Sequence, residues 1–125
     1  MQPKRLDIRI ERIKQELRSI GPMRPGSLSQ QYSVCGKPGC RCVDPSRPRK
    51  HGPYYQLSYV HRGKSTSQFV RSAFLSEVRA QLANYKRFRR LVDQWIHVSL
   101  ELSRRRLEEL KRSVSARPDA RNPRT

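Results

Sequence analysis

Two stretches of the chain carry apolar residues at helical spacing, and the first lies near the N-terminus. Its apolar positions recur at alternating steps of four and three residues: Leu6, Ile10, Ile13, Leu17 and Ile20. Such a heptad seam over two repeats is typical of an amphipathic helix that packs against a partner. Gly21 and Pro22 follow and end the helix, because proline cannot continue the hydrogen-bond ladder. The pattern predicts an N-terminal amphipathic helix within residues 1–22.

The second helical stretch covers residues 72–114. A stripe of mostly apolar residues recurs there at steps of three and four: Val78, Leu82, Tyr85, Phe88, Val92, Trp95, Ser99 and Leu102. No glycine or proline interrupts it, so one long C-terminal helix is the simplest prediction, and a break near His97 is the alternative. The stripe can cover the seam of the first helix by antiparallel packing within the chain. A homodimer or a partner protein could use the same seams.

Between the two helices, the alternating pattern of residues 54–60 and 64–70 predicts a β-hairpin with Arg62-Gly63 at its tip. If Val60 pairs with Ser65, one face of the hairpin carries Tyr55, Leu57 and Tyr59. The other face then carries Tyr54, Gln56, Ser58, Ser67 and Phe69. A hairpin alone is marginally stable, so the apolar face needs a helix or a metal-bound loop beneath it.

The rest of the middle segment, residues 23–53, is rich in Gly, Pro and Ser and has no periodicity, which predicts a loop. Residues 115–125 form a basic tail with two prolines, and we expect this tail to be disordered. The predicted fold is therefore α+β. It has an N-terminal helix, a metal-stapled loop and hairpin over residues 23–71, and a long C-terminal helix in coiled-coil-like contact with the first.

Charge narrows the choice of partners. The 125-residue chain has a formal net charge of +18, and residues 23–71 contain nine basic side chains against Asp44 alone. A field of this strength attracts polyanions, above all nucleic acid. Arginines outnumber lysines by 21 to 7, which favours bidentate phosphate contacts, although a GC-rich genome would also raise the arginine count.

The chain lacks an apolar run of transmembrane length, and its first ten residues lack a signal-peptide core. These features predict a cytoplasmic protein with no membrane partner, and nucleoid association fits the charge.

Candidate chemistry lies in a cluster of three cysteines and one histidine: Cys35, Cys40, Cys42 and His51. Thiolate and imidazole are the ligands that a structural, tetrahedral Zn²⁺ prefers. Cys40 and Cys42 flank one arginine, so both sulfurs could lie on one side of an extended strand. Nearby lysines and arginines would lower the thiol pKa values and thereby assist metal binding.

Other interpretations of the cluster stay open. The cysteines could be free thiols in a reducing cytosol, a redox site, or one disulfide with an odd cysteine left over. His61 could replace His51 as fourth ligand, although its place at the hairpin tip makes this less favourable. His97, in the middle of the long helix, is interpreted as a packing or surface residue.

Several segments together resemble one bacterial and archaeal family, catalogued as a domain of unknown function. They are Gly26-Ser27-Leu28-Ser29, residues 35–42, His51-Gly52-Pro53-Tyr54-Tyr55, Gly63-Lys64 and the helix around Tyr85. The similarity covers about residues 26–102. Members of that family are often encoded near transposases and other mobile-element genes. The resemblance implies a zinc-like site at the three cysteines and His51, and a role linked to DNA.

A metal-anchored loop beside a basic hairpin predicts nucleic-acid binding, with DNA favoured over RNA. The expected phosphate ligands are Arg41, Arg47, Arg49, Lys50, Arg62 and Lys64, with a second group formed by Arg24, Lys37, Lys86, Arg87 and Arg90. Exposed tyrosines would favour RNA, through stacking on unpaired bases, but Tyr55 and Tyr59 are expected to pack against the long helix. A protein–protein adaptor is a further alternative, and an exposed apolar strip on the long helix would favour it.

Catalysis is not expected. Asp44 is the only acid between Glu16 and Glu77, and no nucleophile–base pair or phosphate-cradling glycine loop is present. A zinc ion with four protein ligands keeps no open position for water. The sequence therefore predicts a binding protein without enzymatic activity.

Overall fold

A computed structural model of the protein describes residues 3–116. Its elements, in chain order, are helix α1 (Pro3–Arg18), strand β1 (Ser27–Ser33), strand β2 (His51–His61), strand β3 (Lys64–Val70) and helix α2 (Leu75–Ala116). Short 3₁₀ turns cover Arg41–Val43 and Ser72–Phe74. The predicted α+β class, with helices at both ends and a hairpin between them, is confirmed.

Helix α2 extends to Ala116 and so includes Ser115 and Ala116, the first two residues of the predicted tail. No proline or glycine stands before Pro118 to end the helix earlier. The remainder of that tail, residues 117–125, lies outside the described residues.

The chain divides into two compact units, one of which contains α1 and the part of α2 after residue 86. Its core consists of buried Leu6, Ile13, Leu91, Val98 and Leu102, with Ile10, Leu17, Ile20 and Trp95 packed against it. The predicted seam of α1 is thus confirmed. On α2 the buried residues include Leu91 and Val98. The predicted stripe contained their neighbours Val92 and Ser99 instead. Apolar residues at adjacent positions left the exact face of α2 ambiguous in the sequence.

The two helices of this unit run antiparallel. Asp7 lies near Arg106, at an N–O distance of 4.0 Å, and the Lys14 ammonium lies 5.4 Å from the centre of the Trp95 ring. From Asp7 to Lys14 along α1, the contacted residue of α2 changes from Arg106 back to Trp95. The two helices are therefore antiparallel within one chain. Helix α2 continues without a break through His97, whose side chain is exposed.

The second unit, residues 21–86, contains a three-stranded antiparallel sheet in the order β1-β2-β3. The predicted hairpin register is confirmed, with Val60 paired to Ser65 and Leu57 to Gln68. Arg62 and Gly63 form the tip with φ values of 52° and 77°. Two left-handed residues in succession are the geometry of a type I′ turn, whose twist matches that of the strands.

Strand β1 corrects the prediction that residues 23–53 form a loop throughout. It pairs with β2 from Ser27–Ser58 to Ser33–His51, and the register shifts between Gln31 and Ser33. The strand has almost no apolar pattern because it lies at an edge of the sheet, where only Leu28 is even half-buried. Its hydrogen bonds to β2, rather than apolar alternation, hold it in place.

The inner face of the sheet carries the core of this unit. Leu57 on β2 is completely buried, and the first turns of α2 lie over the same face, where Tyr55 and Leu82 line one cavity. The Arg79 guanidinium lies 5.9 Å from the centre of the Tyr55 ring. Tyr55 and Tyr59 are half-buried on this inner face, and Tyr55 packs near the long helix as predicted.

Within residues 3–116, neither helix has an apolar stretch that is long enough to cross a membrane.

We expect Leu57→Ala to lower the free energy of unfolding by about 2–5 kcal/mol, because it removes a fully buried side chain and leaves a cavity. Val60→Ala is the matched control, since Val60 lies on the same strand but is 62% exposed; it should change stability by no more than about 0.5 kcal/mol. Urea unfolding of both variants measures the difference. Equal effects would contradict the assigned register.

Candidate metal centre

The two ends of the cysteine-containing loop are held by the pairing of β1 with β2. Ser33, the last residue of β1, pairs with His51, the first residue of β2. Cys35 therefore lies two residues after Ser33, the residue that pairs with His51. Gly52 allows the strands to approach here, since a Cβ atom at this position would lie 2.8 Å from the Gln31 carbonyl oxygen.

The middle of the loop is a tight turn and not the extended strand that the Cys-Arg-Cys spacing predicted. Residues Arg41–Val43 form a 3₁₀ turn, in which the backbone N–H of Val43 donates to the Cys40 carbonyl. The turn buries Cys42 and leaves Arg41 exposed. The N–H of Arg49 donates to the Arg41 carbonyl at 2.8 Å, which folds the returning chain back onto this turn.

The four predicted ligands converge on one point. The Sγ atoms of Cys35 and Cys42 are 3.5 Å apart, and the Cys40 Sγ lies 3.2 Å from the His51 Nε2. All four ligand atoms lie within 4.8 Å of one another. Three of the residues are half-buried and Cys42 is buried, so a bound ion would be largely shielded from water.

These distances fit a four-coordinate metal ion. In a tetrahedron with metal–sulfur bonds of about 2.3 Å, neighbouring sulfurs are about 3.8 Å apart. The sulfur–sulfur distance of 3.5 Å between Cys35 and Cys42 is close to that value. Cys35, Cys40, Cys42 and His51 could therefore bind one metal ion.

The thiols of the cluster have unequal acidity. The backbone N–H of Cys42, with the thiols of Cys42 and Cys35, stabilises the Cys40 thiolate and lowers its pKa to about 6. For Cys42, the backbone N–H of Cys35 acts in the same direction, but burial and the neighbouring thiols outweigh it and raise the pKa. Hydrogen bonds inside the cluster, rather than the nearby cations that the sequence suggested, lower the Cys40 pKa.

His61 as fourth ligand and a disulfide do not fit the geometry. His61 lies at the other end of β2, where it pairs with Lys64, and is not part of the cluster. The three cysteines are free, with no disulfide among them.

The predicted phosphate-binding residues fall into two groups around β2. Arg41, Arg47, Arg49 and Lys50 are exposed on the loop that precedes β2, while Arg62 and Lys64 are exposed at the hairpin tip that follows it. Lys37 is also exposed on the loop. Both ends of the central strand therefore carry cations.

The remaining members of the second group are more varied. Arg24 is half-buried, with its guanidinium 4.8 Å from the centre of the Tyr59 ring. Lys86 is exposed at the end of the sheet-containing unit, whereas Arg87 and Arg90 belong to the helical unit. Arg87 is half-buried and Arg90 is exposed.

The aromatic surface predicted from the sequence consisted of tyrosines and did not include Phe69. That residue is the most exposed large hydrophobic residue among those described, at 70%. Its position on the outer face of the hairpin was implicit in the predicted register, but its exposure depended on which face α2 covers.

Comparison with known proteins identifies a family but no function. The family model described as a domain of unknown function, DUF6788, matches residues 3–80. The match takes in α1, which the signature resemblance did not include, and ends in the early turns of α2. No curated protein and no solved structure matches the chain.

We expect the purified protein to bind one equivalent of a divalent metal ion and Cys42→Ser to lose it, because serine does not supply a thiolate. His51→Ala should also lose the ion when dialysed against a chelator. His61→Ala is the matched control and should retain it, since that side chain lies outside the cluster. The metal content per chain is measured for all three variants. A stoichiometric ion in Cys42→Ser would show that the site is elsewhere.

Proposed function

This chain belongs to the DUF6788 family, and from its residues we propose that it is a small zinc-stapled protein that binds DNA. One observation carries the proposal: residues 21–86 contain eleven lysines and arginines but only Asp44 and Glu77 as acids. The helical unit, by contrast, offsets much of its basic charge with seven acids among its described residues. The excess of positive charge on the sheet-containing unit attracts a polyanion to that unit.

The positions of these cations support phosphate contact. The loop group and the hairpin-tip group lie at opposite ends of β2, a strand of eleven residues. At about 3.3 Å per residue, the strand separates the two groups by roughly 30 Å. A nucleic-acid backbone that follows β2 would meet cations at both ends. Because phosphate contacts carry no sequence information, this arrangement favours sequence-tolerant binding.

Zinc is the proposed ion, because three thiolates and one imidazole suit its preference for soft and borderline ligands. With four protein ligands its coordination is complete, so its role is to hold the loop rather than to activate water. We therefore propose a binding protein and not an enzyme.

The biological setting rests on less specific arguments. Free thiols and a zinc cluster fit a reducing prokaryotic cytoplasm. The resemblance of the cysteine and His-Gly-Pro-Tyr-Tyr segments to a family encoded near transposase genes suggests an accessory factor of a mobile element. RNA is the alternative polyanion, since the charge pattern itself does not distinguish the two.

We expect the metal-replete protein to bind DNA with an affinity that falls steeply with salt, because each displaced counterion contributes to the slope. The double variant Arg62→Gln/Lys64→Gln should reduce the slope of log K against log[salt] by about 0.9 for each duplex phosphate that the variant no longer neutralises. Fluorescence anisotropy with a labelled duplex across a salt series measures this.

Arg104→Gln provides the matched control for charge. Arg104 contacts Glu101 at 2.7 Å and Glu108 at 3.1 Å, so its charge is already offset within α2. This variant should leave the slope unchanged. Weak binding that vanishes by physiological salt, or equal effects of both changes, would overturn the proposal.

A second candidate function, recruitment of a partner protein, is favoured by an exposed apolar stripe on α2. Five exposed side chains recur at heptad spacing, with Ser103 in the gap: Ile96, Leu100, Leu107, Leu110 and Val114. These residues lie on the helical unit and are separate from its core. A stripe of this kind, about 27 Å long at 1.5 Å per residue, is suited to a second helix.

The charges beside the stripe indicate which kind of helix would bind it. Beside the apolar seam lie Arg106 and Lys111, at positions where coiled-coil partners place complementary charges. Arg104 lies there too, but Glu101 and Glu108 already offset its charge. A second copy of this chain would bring like charges together, whether parallel or antiparallel. The occupant that we propose is an acidic amphipathic helix of a partner protein.

A synthetic heptad peptide with leucine at the seam and glutamate at the flanks should bind the chain, and the same peptide with lysine flanks should not. Leu107→Gln should weaken binding by about 10- to 100-fold, because a leucine that the peptide would bury is replaced by a polar side chain. Arg112→Gln, off the stripe, is the control. Equal binding of both peptides, or a wild-type dimer that Leu107→Gln converts to a monomer, would contradict this candidate.

A further inference from the structure

The outer face of the sheet, which α2 does not cover, is a second feature of the sheet-containing unit. Residues paired directly across antiparallel strands share a face, so the register Gln31–Tyr54 and Gln56–Phe69 places these four side chains together. Tyr54 is 44% exposed and Phe69 is 70% exposed. A group of water-exposed aromatic rings on the open face of a sheet commonly marks a binding surface.

The aromatic side chains of this face form one cluster. The rings of Tyr54 and Phe69 meet edge to face, with centroids 6.4 Å apart and an interplanar angle of 67°. Tyr32, at the register shift of β1, is also exposed and lines a hollow of about 310 Å³ together with Tyr54 and Phe69. All three side chains are exposed, so a planar ligand can contact them.

Polar side chains surround the rings and offer hydrogen-bonding groups. Gln31 donates to the Gln56 side-chain carbonyl, and Ser58 and Ser67 hydrogen-bond to each other at 3.1 Å. Each of these amides and hydroxyls has further donor or acceptor capacity. Such groups can bind the edges of a base that is stacked on a neighbouring ring.

We propose that this outer face, with Tyr54 and Phe69 at its centre, stacks the unpaired bases of a single-stranded nucleic acid. The inference rests on the proposed function and names its substrate class. Rings on a sheet accept bases of any sequence, because every base has a π-face. In a duplex the bases are already stacked inside the helix, so a flat aromatic face gains little from it.

The surrounding charge selects a nucleic acid over a flat apolar partner. The outer face lies along β2, between the loop group with Arg49 and Lys50 and the hairpin tip with Arg62 and Lys64. A strand whose bases lie on Tyr54 and Phe69 would carry its phosphates toward both groups. This is the usual combination of a basic groove with a stacking platform in single-strand-binding proteins.

The test measures affinity for oligo(dT), oligo(U) and a DNA duplex of equal length at several salt concentrations. Wild-type protein should prefer the single strands to the duplex. Phe69→Leu and Tyr54→Leu keep an apolar side chain but remove the aromatic face. Each should weaken oligo(dT) binding about 5- to 150-fold, the loss expected for one stacked base.

Two readouts separate stacking from folding and from charge. The Leu variants change no charge, so their salt slope should equal that of wild type, whereas Arg62→Gln/Lys64→Gln should lower it. Phe69→Trp should retain affinity, and the fluorescence that it adds to Trp95 should be quenched by oligo(dT). Val60→Ala, which removes a non-aromatic side chain from the same face, should bind as wild type does.

The outcomes distinguish this inference from the proposed function. If the Leu variants bind oligo(dT) as tightly as wild type while the charge variant loses affinity, the stacking platform is wrong and the proposed function survives. A preference for oligo(U) that Phe69→Leu abolishes would support the platform and identify RNA as the partner in place of DNA. Salt-independent or absent binding of every probe would overturn both.

Discussion

The hydrogen-bonded ladder between β1 and β2 is the interaction on which the candidate metal centre and the surface around it depend. It brings Ser33 and His51 side by side, at the spacing of neighbouring strands, about 4.8 Å. This pairing closes the intervening loop, residues 34–50. The entropy of closing a loop of this length is offset by backbone hydrogen bonds and by Leu57 beneath the sheet. A bound ion would order the interior of a loop whose ends this pairing fixes.

The loop has little else to stabilise it. Cys42 is the only buried residue between Leu28 and Leu57, and this stretch contains four of the nine prolines of the chain. A segment with no apolar core cannot offset its conformational entropy by burial, and a metal ion is a common substitute in small proteins. With a bound metal ion the three cysteines would be held as thiolates, and hydrogen bonds within the cluster already lower the pKa of Cys40.

The two units contain different kinds of surface. The helical unit balances its charges along α2, as in the contacts of Arg104 and Arg105 with Glu101, and exposes an apolar stripe. The sheet-containing unit has few acids and exposes aromatic rings and cations together. The proposed nucleic-acid binding and the proposed partner binding would therefore use different units.

Much of this could be predicted from the amino-acid sequence because the signals were local. The seam of α1 needed only residue spacing, and the register of β2 and β3 followed from the Arg62-Gly63 turn, which leaves few ways to pair the strands. The ligand set was also predictable, since three cysteines and a histidine are rare in so short a segment. The tertiary structure decided what depends on non-local contacts. Strand β1 forms through its hydrogen bonds to β2, although its polar sequence shows no strand pattern. Which face of the sheet α2 covers determined that Tyr55 is half-buried while Phe69 is exposed. Likewise, the face of α2 that meets α1 determined that Leu91 and Val98 form the core while Leu107 and Val114 stay exposed. Spacing along one element identifies its possible faces, but only packing against another element selects the face that is buried.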